Sequence, residues 1–152
     1  MIAAMRDDFD LQLRMAVYTH FADTGSSPTL DVMRGAMDAT ADEIRDGYRR
    51  LHAKRMLVPD ASVESIRMAP PFSGVATQHR VHVKGTAYFA NCAWDAFGVV
   101  CALGGSGDVE SRCEHTREPL ELHLTPDGPP ASEWVFHCVV PAAHWWDNIA
   151  FT

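Results

Sequence analysis

The chain has 152 residues, 47% hydrophobic and 22% charged, with a formal charge of −7 at neutral pH. That length and balance place it among soluble globular proteins of one domain or two small ones, with enough apolar material for a real core. No run approaches the roughly 18 apolar residues of a membrane span, so a membrane is excluded as a partner.

The charge is uneven along the chain. Residues 1–87 carry eleven Lys/Arg and eleven Asp/Glu, whereas residues 88–152 carry only Arg112 and Arg117 against nine acids. An acidic C-terminal half repels nucleic acid and tolerates cations. The start, Met1 to Asp8, turns acidic at once and lacks the basic and apolar regions of a signal peptide. A cytoplasmic location is expected. The four cysteines, Cys92, Cys101, Cys113 and Cys138, all fall in the acidic half. In the cytoplasm they are expected to be reduced, reactive or buried rather than disulfide-bonded.

Three helices are predicted first. One spans about Asp8–Phe21, with apolar Phe9, Leu13, Ala16 and Val17 at helical spacing. A short second covers Thr29–Met37, after the turn-rich Gly25-Ser26-Ser27-Pro28. The third opens on a capping box, Thr40-Ala41-Asp42-Glu43, and presents Ile44, Tyr48 and Leu51 on one face. Met56–Val58 and Ser65–Met68 then read as a strand pair around Pro59-Asp60-Ala61. Three helices followed by a β-hairpin is the winged helix-turn-helix order. Arg45, Arg49, Arg50, Lys54 and Arg55 on the third helix could face DNA, although Asp42, Glu43 and Asp46 dilute that charge.

Pro70-Pro71-Phe72-Ser73-Gly74 is the best candidate for a linker. Arg80–Lys84 alternates as a strand, Gly85-Thr86 turns the chain, and a helix beginning around Cys92 stops at Gly104-Gly105. Strands follow at Val109–Glu114, Leu120–Thr125 and Ser132–Val140. A helical turn is expected at Pro141–Asp147 and the beginning of a strand at Ile149–Thr152. The expected class is therefore α+β: an N-terminal winged-helix-like three-helix module and a C-terminal, mainly antiparallel β domain carrying the Cys92 helix. The divisions fall at 1–68, a linker at 69–79, and 80–152.

Chemistry concentrates in Tyr88-Phe89-Ala90-Asn91-Cys92-Ala93-Trp94-Asp95-Ala96-Phe97-Gly98. Residues three apart on a helix share a face with Cβ atoms about 5–6 Å apart, so Cys92 and Asp95 can act on one bound atom. Asn91 suits an N-cap, which puts Cys92 in the first turn, where the helix dipole favours a low-pKa thiolate. Such a thiolate is both a nucleophile and a soft-metal ligand. Equally, Cys92 reads as a small buried hydrophobe. Asp95 lies among apolar neighbours, and burial would raise its pKa and let it hold a proton near neutrality; otherwise it is an exposed helix acid. Cys138 shares a strand face with Trp134, Phe136 and Val140 and is expected in the core, Cys113 is expected to be structural, and Cys101 is expected to pack away from Cys92. Cys113-Glu114-His115 with His137-Cys138 offers zinc-ligand types but no regular zinc spacing.

Taken together, these residues resemble the alkylmercury lyase (organomercurial lyase) family. The resemblance runs through most of the chain: the helical module, Pro70–Ser73, His79–Val83, Gly85–Ala96, Ser111-Arg112-Cys113 and Val139-Val140-Pro141. It implies protonolysis of a carbon–mercury bond, with Cys92 as the capturing thiol, Asp95 as the acid, and both in contact with the metal. It implies no organic cofactor, a small organomercurial substrate, Hg(II) as bound product, and small thiols to remove it. Trp94, Trp145 and Trp146 would wall an apolar pocket for the organic group. The family's second catalytic cysteine would fall at or just after position 153, past Thr152, so cleavage by the chain as given is expected to be weak. Cys138, on an earlier strand, would be a poor substitute. A shortened chain or a UGA codon for selenocysteine at that point would account for the pattern. The alternatives in other classes are a thiol- or metal-sensing DNA-binding regulator and a catalytically inactive metal-binding homologue.

Overall fold

The computed structural model describes the backbone of residues 2–150 and the side chains of residues 6–150. Helices α1 (Ile2–Thr24), α2 (Leu30–Met37) and α3 (Ala41–Ala53) come first. They are followed by strands β1 (Val58–Pro59), β2 (Ile66–Ala69), β3 (Phe72–Ser73), β4 (Arg80–Val83) and β5 (Thr86–Ala90). Helix α4 (Ala93–Leu103), strands β6 (Gly107–Arg112) and β7 (Pro119–Leu124), and a 3-10 helix (Ala142–Asp147) complete the order. The class is α+β, as expected. No helix among the described residues is long and apolar enough to cross a membrane.

The helices form where the sequence signals them. The Thr40 side chain accepts from the Glu43 N–H, and Glu43 reaches back to the Thr40 N–H at 2.9 Å, closing the capping box of α3. Thr29 caps α2 in the same way by accepting from Val32. Leu13, Val17 and Phe21, four residues apart on α1, are fully buried with Ile44, Tyr48 and Leu51 of α3. Helix α1 runs several residues beyond the predicted span at each end.

One buried charge is built into this helical layer. The Asp10 side chain, only 4% exposed, accepts from Arg50 Nη2 at 2.7 Å and from Lys54 Nζ at 3.1 Å. Burial pushes the Asp10 pKa up, but the hydrogen bonds and charges of Arg50 and Lys54 outweigh it and hold the group below its ordinary value.

A single seven-stranded antiparallel sheet, in the order β1-β2-β3-β5-β4-β6-β7, runs through the chain. The stretch read as a linker supplies its joining strand. Ala69 pairs with Phe72 on one side of β3, and Phe72 pairs with Ala90 on the other. The Phe72 ring stacks on Phe21 of α1 (centroids 5.5 Å apart) and lies 5.7 Å from Tyr88 of β5. Gly25, in the turn after α1, has φ +71° and approaches β5 so closely that a Cβ would lie 2.1 Å from the Ala87 carbonyl oxygen.

Two expectations are corrected. Thr86–Ala90 is a strand rather than a turn leading directly into a helix, because Tyr88 and Ala90 alternate into the core while β4 pairs along its length. Ser132–Val140 is not a strand. Its apolar alternation finds no ladder partner, and Pro126, Pro129 and Pro130 carry the chain off the β7 edge without donors for a returning hairpin. At the end, Ile149–Ala150 is a turn, and the remainder of the predicted terminal strand lies outside the described residues.

Phe72→Ala is expected to cost about 3–5 kcal/mol in urea unfolding, the range for emptying a buried aromatic site; a loss below 1 kcal/mol would mean that the ring does not join the layers. Asp10→Asn is expected to cost about 2 kcal/mol at pH 7, less than a fully buried pair because Arg50 and Lys54 remain partly open to solvent. A depressed folded-state pKa contributes stability that is complete above the unfolded value and is lost as pH falls through the folded one, so the wild-type advantage should start to shrink at about pH 4 and disappear only at more acid pH. An advantage that does not decline at all as pH falls below about 4 would overturn the assignment.

Candidate active site

Strand β5 delivers the chain to the start of α4, where Asn91, Cys92 and Asp95 lie together. Cys92 is the N-cap itself (φ −149°, ψ 178°) and not a first-turn residue. Its Sγ accepts the Asp95 N–H at 3.4 Å, and its carbonyl accepts from Ala96 at 3.0 Å. The capping role expected of Asn91 has moved one residue along.

Asn91 instead acts as a clamp. Its Nδ2 donates to the carbonyls of Pro71 (3.3 Å) and Phe72 (3.1 Å) and to Asp95 Oδ2 (2.9 Å). Its Oδ1 is buried without a hydrogen-bond partner. Gly98, one helical turn further, lets α4 lie against Pro71, since a Cβ there would be 3.0 Å from the proline ring. Behind this corner Tyr18 of α1 donates to the Pro70 carbonyl at 3.0 Å. The Asp95 carboxylate is near enough to help raise the Tyr18 pKa, after burial as the main cause.

The electrostatics reverse one expectation and meet another. The Cys92 thiol is pushed up, not down. Burial is the largest cause, the Asp95 N–H bond opposes it, and the Asp95 carboxylate adds to the rise. The capping N–H bonds favour the thiolate, but they do not offset desolvation beside another anion. Asp95 is half-buried and its pKa is raised by burial, with the Asn91 hydrogen bond opposing. A carboxyl held above its ordinary range beside a thiol makes a couple that can keep one proton at neutral pH.

The sequence profile of the alkylmercury lyase family matches residues 72–152, more than half of the chain. The chain belongs to the alkylmercury lyase family. Its fold is similar to the crystal structure of the mercury-bound form of MerB2, with a TM-score of 0.63 at 22% identity over 83% of this chain. The similarity covers 60% of that protein's own length. No curated protein sequence matches the chain.

Within this alkylmercury lyase scaffold the three tryptophans divide. Trp94 is 59% exposed and its ring lies 5.8 Å from Phe136. Trp145 is half-buried and donates Nε1–H to the Val140 carbonyl at 2.7 Å, while Trp146 lies 6.1 Å from His52 of α3.

The remaining cysteines depart from expectation. Cys138 is exposed rather than core, because the segment that carries it forms no strand. Cys101 is exposed on the far side of α4, where it lines a shallow apolar cleft of ≈ 330 Å³ with Phe97, Leu124 and Pro129. Cys113 sits in the turn after β6, and hydrogen bonds from Thr116 lower its pKa. Among the described residues no three His, Cys, Asp or Glu side chains gather to hold a metal ion. On α3, Arg45 pairs with Asp42 and Glu64, Arg49 with Asp46, and Arg50 and Lys54 with Asp10.

Sequence reasoning missed Tyr18 and the clamping role of Asn91. The amide four residues before a carboxylate was legible as a hydrogen-bond pair, but its carbonyl partners depend on the fold of residues 70–72. Replacing Asn91 with Ala removes a donor that favours the Asp95 carboxylate, so the Asp95 midpoint should rise further. A carboxyl-carbon NMR titration reads this directly, and a midpoint that falls or stays fixed would show that the amide does not tune the acid.

Proposed function

We propose that this chain captures organomercurials on Cys92 and cleaves the carbon–mercury bond by protonolysis, with Asp95 handling the proton. The observation that supports this most is the Cys92–Asp95 couple itself. Thiol and carboxyl share one helix terminus, joined through the Asp95 N–H, and both are held above their ordinary pKa values.

The steps follow from those protonation states. A soft mercury centre exchanges its outgoing ligand for Cys92 sulfur, forming a sulfur–mercury bond. The thiol proton released in this exchange passes to the Asp95 carboxylate. Protonated Asp95 then donates to the carbon bound to mercury. The electron pair of the carbon–mercury bond becomes the new carbon–hydrogen bond, the hydrocarbon leaves, and Hg(II) remains on sulfur. Asp95 ends as carboxylate, and small thiols carry the metal away. No organic cofactor is required. The same groups would let a slow or inactive homologue hold Hg(II) without cleaving, and the measured product separates the two.

Phenylmercury is a direct probe: benzene release should be detectable by gas chromatography in the presence of a small thiol. Asp95→Asn should lower the rate by about 10²–10⁴-fold, the usual worth of a positioned acid. Cys92→Ser should abolish both release and retention of mercury. Benzene release unchanged in Cys92→Ser would refute the reading. Because the couple keeps a proton until the thiol itself ionises, the rate should hold through neutrality and fall only above the ordinary thiol range of about 8.5. A rate that rises steadily through pH 10 would exclude the couple as proton source.

A further inference from the structure

We propose that the outward face of the sheet binds a free α-amino acid, its carboxylate on Arg112 and its ammonium on Glu121. The inference is independent of the carbon–mercury reading. Strand alternation places Arg80 of β4, Glu110 and Arg112 of β6, and Glu121 of β7 on one side of the sheet, opposite the core residues Val81 and Val109. With Phe89 and Pro119 they line a cavity of ≈ 300 Å³. That is the lower end of the range for small-molecule sites, about 300–1,000 Å³.

Three observations select a zwitterion. First, Glu110 and Glu121 are directly opposed on β6 and β7. Like charges so placed destabilise a sheet, and a cation between them relieves the repulsion. Glu110 has His82 at 3.3 Å and Arg80 opposite it on β4, so Glu121 is the acid without a cation among the described residues. Second, Arg112 lies opposite Pro119, which sets it diagonal to Glu121, a spacing that long side chains can span. The two nevertheless do not close on each other: among the described residues neither forms an ion pair or a side-chain hydrogen bond. An α-amino acid carries carboxylate and ammonium on one carbon and satisfies both ends at once. A simple anion or a simple amine leaves one of the two charges uncompensated. Third, the rim of the cavity is held in place. Thr77 donates to the Ala90 carbonyl at 2.7 Å, while Gln78 donates to Glu114 and accepts from Arg117 at 3.4 Å. A rim fixed in this way needs little ordering on binding. Half-buried Phe89, which pairs with Arg80, and Pro119 supply apolar surface for the ligand's side chain, so leucine is a suitable probe.

The test titrates the full chain with L-leucine, with isocaproate, which lacks the ammonium, and with isoamylamine, which lacks the carboxylate. Backbone amide NMR shifts are followed. Leucine should give saturable shifts centred on residues 77–80, 110–112 and 119–121. Each half-ligand should bind about tenfold more weakly, the worth of one charge-assisted hydrogen bond. Arg112→Ala should bring leucine down to the affinity of isoamylamine, and Glu121→Gln should bring it down to that of isocaproate. Both positions are exposed, so the variants are expected to fold. Cys92→Ser should bind leucine as the wild type does, whatever becomes of benzene release, which keeps this site and the carbon–mercury reading separately testable. Leucine binding no tighter than either half-ligand, shifts that saturate elsewhere on the chain, or no saturable shift at all would overturn the inference.

Discussion

Strand β3 is two residues long, and the candidate site depends on it. Phe72 and Ser73 are the hydrogen-bonded seam between the N-terminal hairpin and the rest of the sheet. The Phe72 ring fixes that seam against Phe21 of α1 and Tyr88 of β5. Its carbonyl, with that of Pro71, receives the Asn91 amide that also holds Asp95. Packing of one aromatic side chain is therefore transmitted through its own backbone to the Asp95 carboxyl. Positioning to a few tenths of an ångström is what proton transfer to carbon demands, and a site anchored on strand and helix backbone can supply it.

At Cys92 two general rules compete and burial wins. A helix N-terminus favours a thiolate by partial positive charge and free N–H groups. Here the N–H groups of Asp95 and Trp94 do act that way, but desolvation and the Asp95 carboxylate push the thiol upward. For a nucleophile attacking carbon this would be a handicap. For capturing a soft cation it is not, since the metal displaces the thiol proton as it binds sulfur.

How much of this was legible in the sequence varies with the kind of signal. Capping boxes and periodic apolar positions at Thr40–Glu43 and Leu13–Val17–Phe21 are local and survived into the structure. So did the stop of α4 at Gly104, with φ +67°. The joining strand did not show, because two residues following two prolines carry no period at all. Ser132–Val140 failed the other way: its period of two was present, but a strand also needs a neighbour with free donors and acceptors. Cys92 and Asp95 were legible as a pair, whereas the sign of the Cys92 shift was not, since it depends on burial and on charges that the sequence does not place.

The failure at Ser132–Val140 bears on the exposure of Cys138. In a strand, Cys138 would have been sealed in a core with Trp134 and Phe136. Off the sheet, the same alternation turns Phe136 toward Trp94 and leaves the thiol exposed. Asp95 and Cys92 sit on a helix terminus that several hydrogen bonds hold in place, while Cys138 sits on irregular backbone held by a ring contact and the Val140 carbonyl. Fewer anchoring contacts make local displacement of that segment less costly than it would be for a strand.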